Sequence, residues 1–159
     1  MQKIHTKQVL FLIIMFLTAS CSTTNDRVYY THKSAFNHTS YQLISNYSRI
    51  LTTSECIRNP TSDAIIFNRS SDSCFEFEQF VDSNVINEIF LACEIRSIML
   101  SPNRVLFHFN SDKRLLMTIT YSLLYTEDAS IIDRYYNDKD FSITSIDTNW
   151  YLIKMNYDD

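Results

Sequence analysis

The chain of 159 residues contains no glycine. Glycine-rich phosphate loops, the dinucleotide fingerprint and the nucleophile elbow all need that residue, for positive φ or for close backbone approach. Those sites are excluded, as is the EF-hand loop, whose sharp turn also requires glycine. Turns must fall instead on Asn, Asp, Ser and the two prolines. Closely spaced cysteines are missing too. Cys56, Cys74 and Cys93 are too far apart for the paired spacing of a zinc site. Positive charge is never concentrated: Arg49, Arg58, Arg69, Arg96, Arg104 and Arg114 are scattered, so no electrostatic footprint for nucleic acid exists. The apolar run from Val9 to Leu17 is about half of the roughly 20 residues that a membrane-spanning helix needs.

That short run has the order of a secretory signal. Lys3, His5 and Lys7 form a positive head, Val9 to Leu17 the apolar middle, and Thr18, Ala19 and Ser20 a small-residue cleavage region. The stretch Leu17-Thr18-Ala19-Ser20-Cys21 resembles the lipobox of bacterial lipoproteins, with Thr18 standing where leucine is most usual. The resemblance implies cleavage before Cys21 and lipidation of its thiol. Ser22 after the cysteine implies an outer-membrane destination, with the membrane reached through the lipid at Cys21. An ordinary cleaved signal, giving a secreted protein, is the alternative. Ser22 to Asp26 read as a short polar tether.

Residues 21–159 amount to one domain, large enough to bury a core. Without Lys3 and Lys7 the basic residues fall from 14 to 12 against 18 acidic ones, a net charge of about −6. An exported compartment permits disulfides. Three cysteines after Cys21 allow at most one internal bridge. Cys56 and Cys74 lie in polar surroundings and are the expected pair, whereas Cys93, in Ile89-Phe90-Leu91-Ala92-Cys93, reads as a buried small apolar residue. Asn37, Asn46 and Asn68 open glycosylation sequons, which matter only in a eukaryotic host.

Along the chain, residues 27–39 read as an irregular lead-in. Leu43, Ile44, Tyr47, Ile50 and Leu51 recur at helical spacing, which predicts a helix over 41–57, ended before Asn59-Pro60. Ala64 to Phe67 predicts a strand. Cys74 to Val81 alternates, with Phe75 and Phe77 on one face and Glu76 and Glu78 on the other. The two runs would pair as a hairpin. Val85, Ile86, Ile89, Phe90 and Cys93 predict an amphipathic helix. From Ile95 the period falls to two. Strands are expected from Ile95 to Leu100, through Val105–Phe109, from Leu115 to Tyr125, and in a terminal hairpin about Asp147-Thr148-Asn149. Ser111-Asp112-Lys113 reads as a turn, and Glu127 to Asp140 as a polar connection with a helical turn inside it. The fold class is therefore α+β, with one or two N-terminal helices packed on an antiparallel β-sheet meander in residues 40–159. Its curved ending resembles in shape the nuclear-transport-factor-2-like and cystatin-like folds.

Four groups of residues are candidates for chemistry or binding. Glu76 and Glu78 share a strand face about 7 Å apart, a carboxylate pair suited to glycoside hydrolysis, but a wet strand face looks the same. His108 is the one histidine in the 40–159 region and needs a base, an orienter and a nucleophile around it to act. The acidic residues of the 127–140 connection read as a solvated loop, with no metal and no cofactor expected. Tyr29, Tyr30, Tyr135, Tyr136, Trp150 and Tyr151 are the aromatics that would anchor a protein partner if exposed, and would cover the sheet if not. The expected function is a lipid-anchored envelope protein with a small binding domain, one form being a toxin-immunity or inhibitor protein. The competing expectation is a periplasmic hydrolase using Glu76, Glu78 or His108.

Overall fold

The computed structural model describes residues 24–53, 64–68, 79–109, 112–114, 117–136 and 138–158. Among these residues three helices come first: α1 (Thr24–Thr31), α2 (Lys33–Ser45) and α3 (Tyr47–Thr53). They follow one another with single-residue breaks at His32 and Asn46. Tyr29, Phe36, Leu43 and Ile50 are all fully buried. They stand seven residues apart, so one face of the whole run points inward. The expected irregular lead-in is thus helical and carries core residues. Polar Thr39 and Ser40 occupy the positions between them and are buried as well.

The chain continues with β1 (Ile65–Asn68) and α4 (Ser83–Asn87), which runs into a π-helical turn, Glu88–Ala92. The Asp82 side chain accepts from the Asn84 amide at 2.9 Å and caps α4. Residues 79–82 form a turn and not the end of a strand; the rest of the expected 74–81 strand lies outside the described residues. Then come β2 (Ile95–Ser101), β3 (Arg104–Phe109), β4 (Asp112–Arg114), β5 (Met117–Thr126), α5 (Ala129–Tyr136), β6 (Phe141–Asp147) and β7 (Trp150–Asp158). Asp112 and Lys113, read as part of a turn, lie in β4, which pairs with the start of β5; Ser111 lies outside the described residues.

All pairings are antiparallel, in the order β1-β2-β3-β5-β7-β6. β1 joins β2. β7 lies between β5 and β6, so β5 and β6 run parallel and need a crossover connection. α5 supplies it.

The sheet is covered on both faces. The larger core packs Ile98, Leu100, Val105, Phe107, Leu123, Trp150 and Leu152 against the α1–α4 side. The smaller core joins Leu106, Leu124 and Ile153 of the opposite face to Ile131 and Ile132 of α5. This is an α+β fold with its helices mainly N-terminal to the strands. Among the described residues this order leaves β6 at an outer edge of the sheet.

Candidate functional site

A feature with unused bonding capacity is the β6 edge. Among the described residues β6 is paired on one side only, to β7, with Phe141 opposite Met155, Ile143 opposite Ile153 and Ser145 opposite Tyr151. The Asn156 amide donates to the Asp140 carbonyl at 3.3 Å. Ladder bonds recur on alternate residues, so Ser142 and Thr144 turn their backbone groups to β7. Ile143 and Ser145 turn theirs outward. Ser142, Thr144 and Ser145 are exposed. From Phe141 to Ile146 there is no charge and no proline, the usual guards of an edge strand. β1, at the opposite edge, spans four residues, a length that limits its use as a template. A register shift between Ser145 and Asp147 closes the usable stretch of β6.

Helices flank the strand on both faces. On one side the Tyr30 hydroxyl donates to the Ile146 carbonyl while its ring stays 57% exposed. On the other, Tyr135 packs edge-on against Phe141 with centroids 5.4 Å apart, and Tyr136 beside it is 62% exposed.

The end of β6 is fastened to the helices. Asp147 accepts from the Tyr29 hydroxyl at 3.0 Å and pairs with the Lys33 ammonium. The Lys33 contact, the Thr148 amide and the Tyr29 hydroxyl hold the Asp147 carboxyl below the usual carboxylate range. Burial first, then the bond and charge of Asp147, push the Tyr29 hydroxyl up. Trp150 sits beneath this tie, and its indole N–H donates to Asn37 at 2.8 Å.

Trp150 is therefore not a surface anchor. It is 1% exposed and packs among Tyr29, Phe36, Phe107 and Tyr125, because its place on β7 faces the larger core. Tyr151, on the other face, is half-buried against the smaller core, as is Tyr135. Of the six aromatics proposed from the sequence for contact, Tyr30 and Tyr136 are the exposed ones, and Tyr29 is fully buried. Tyr41 on α2 and Leu91 in the π-helical turn are exposed as well.

His108 lies on β3 directly opposite Ser122 of β5. Its Nδ1 is 2.8 Å from the Ser122 hydroxyl. Burial, with a smaller effect from Arg96, pulls the imidazole below its ordinary pKa, so the ring is neutral near pH 7. A neutral imidazole beside a hydroxyl can accept its proton. No carboxylate orients the ring among the described residues. Ser122 was missed because only the register, not the sequence spacing, makes it a neighbour.

Cys93 is buried, and desolvation followed by Glu88 pushes its thiol up to about 12, which leaves it inert. Cys21, Cys56, Cys74, Glu76 and Glu78 lie outside the described residues. In the acidic connection, Asp128 caps α5 by accepting from the Ser130 amide at 2.9 Å and also holds Asn103. It borders an open cleft of about 230 Å³ shared with Ala64, Arg104, Ile131 and Arg134. Among the described residues no cluster of three metal-binding side chains forms, and no helix is long and apolar enough to cross a membrane.

Comparison with protein families, curated proteins and solved structures finds no match for this chain.

Proposed function

We propose that this chain is a lipid-anchored envelope protein whose α+β domain binds another protein by strand addition at β6. The observation that carries the reading is the uncharged outer edge from Phe141 to Ile146, with Ile143 and Ser145 directing amides and carbonyls into solvent. Main-chain bonds to an added strand supply affinity, and side chains on either side supply selectivity. Tyr30, whose hydroxyl reaches the Ile146 carbonyl, is exposed at the end of this stretch and suits an interface. The lipobox-like Leu17–Cys21 stretch supports the anchor. A toxin-neutralising partner is one form of the same reading.

The test is a photo-reactive residue at Thr144 in the full chain, in its native envelope, with Ser48 as an exposed control. A covalent protein adduct at Thr144, absent at Ser48 and suppressed by Ser145→Pro, is expected. Equal yields at both positions would contradict the reading.

The hydrolase alternative, using Glu76, Glu78 or His108, has one observation in its favour, the His108–Ser122 contact. A Ser122→Ala variant that behaves as the parent removes it.

A further inference from the structure

Away from β6, the turn between β2 and β3 and the start of α5 enclose the open cleft of about 230 Å³ that Asp128 borders. We infer that this cleft binds a small monocarboxylate, with Arg104 and Arg134 gripping the carboxylate and Ser101 donating to it. The inference goes beyond strand addition at β6 and does not depend on it.

One row of the sheet forms the floor of the cleft. Ser101 of β2 stands opposite Arg104 of β3, and Arg104 stands opposite Thr126 of β5. Side chains of directly paired residues share a face. Arg104 is two residues from Leu106 and Thr126 two from Leu124, both of which pack with α5 in the smaller core. The row therefore faces α5. Thr126 is fully engaged: its hydroxyl donates to the Asn103 carbonyl at 3.0 Å and accepts from the Asp128 amide at 3.1 Å. Ser101 and Arg104 are not. Ser101 is only 7% exposed and lines the cleft, yet its hydroxyl has no hydrogen-bond partner among the described residues. A buried hydroxyl left unbonded is costly. Arg104 beside it is half-buried. Among the described residues neither its guanidinium nor that of Arg134 forms an ion pair, and Arg134 feels Asp128 only as a charge at longer range.

The nearby acids are already occupied. Asp128 accepts from the Ser130 hydroxyl at 2.7 Å, the Ser130 amide at 2.9 Å and the Asn103 side chain at 2.9 Å. It also caps α5, so the helix terminus is closed to a ligand. Glu127 accepts from the Tyr125 hydroxyl at 2.8 Å, and Tyr125 packs against the larger core on the other sheet face. Two guanidinium charges against the one Asp128 carboxylate leave a single positive charge, which one carboxylate neutralises. The planar fork of a guanidinium matches a carboxylate with two parallel bonds. Ala64, Pro102 and Ile131 add apolar wall for a short hydrocarbon body. The volume lies below the roughly 300–1,000 Å³ of pockets for drug-sized ligands, so the ligand is small.

The experiment is titration of the mature full chain, extracted from membranes, with isobutyrate and benzoate, and with their uncharged amides as controls. Calorimetry reads the affinity and backbone amide NMR shifts read the location. Saturable binding of a carboxylate and of neither amide is expected, with shifts centred on Ser101, Arg104 and Ile131. Arg104→Gln should weaken binding about tenfold, and Arg104→Lys about threefold, because lysine keeps the charge and loses the fork. Arg96→Gln, at an exposed arginine of β2 outside the cleft, should bind as the parent does. No saturable binding of either carboxylate overturns the inference, as does binding whose shifts fall elsewhere or that Arg104→Gln leaves unchanged. Tighter binding of inorganic phosphate than of both carboxylates overturns the ligand class. Should the Arg104 variants fail to fold, the shifts in the parent chain decide.

Discussion

At the residue scale, the absence of glycine has a visible cost. Glu94 and Asn149 adopt positive φ, at 55° and 62°. Asn tolerates that region, and Asn149 serves the β6–β7 turn, but Glu94 bears a Cβ where none fits well. His108 shows a different kind of cost. Its folded pKa lies below the ordinary 6.5, because burial and then Arg96 oppose the charge. The unfolded chain therefore binds the proton first as pH falls. Stability contributed by the neutral ring is full above about pH 6.5 and is lost progressively below it. The parent should lose stability between neutral and mildly acid pH, and His108→Gln should lose less over the same interval. Denaturant midpoints at a series of pH values check this, and parallel curves for the two proteins would contradict it.

At the element scale, the strands from Ile95 onward are legible because their apolar residues alternate, and alternation has one structural meaning. The β2, β3, β5, β6 and β7 strands follow it. The helical run from Thr24 to Ser40, ahead of the helix expected over 41–57, was hidden for a physical reason. Its buried stripe includes Thr39 and Ser40 at core positions, so the apolar signal there is reduced to Tyr29, Ala35 and Phe36. The Thr39 and Ser40 hydroxyls are buried with no hydrogen-bond partner among the described residues. A buried unpaired hydroxyl is unfavourable, and replacing it by an apolar group of like shape relieves that cost. Thr39→Val and Ser40→Ala should each leave stability unchanged or raise it by about 1 kcal/mol. Thermal unfolding would show this, and a loss of more than about 1 kcal/mol would mean that the hydroxyls are bonded.

At the scale of the whole molecule, the order β5-β7-β6 decides which surface remains open. That order is invisible in the sequence, because a crossover through α5 and a simple meander leave the same periodic pattern. Trp150 illustrates the consequence. Its type allowed either a surface anchor or a cover for the sheet, and the inward register of β7 and the Asn37 acceptor made it core. The uncharged composition of Phe141 to Ile146 was present in the sequence, yet it becomes meaningful only once β6 is known to be an edge. The anchor is separately testable. The intact mass of protein taken from membranes should begin at Cys21 and carry diacylglycerol; a lipid-free mass would contradict the anchored state.

The most direct test of strand addition at β6 is amide hydrogen exchange at Ile143 and Ser145, compared between native envelope membranes and the extracted chain at high dilution. Their amides point away from β7, so the isolated chain should exchange them quickly and Ser142 and Thr144 slowly. In the membrane, strong protection of Ile143 and Ser145 is expected, with Ser142 and Thr144 unchanged. Fast exchange at Ile143 and Ser145 in both settings would contradict it.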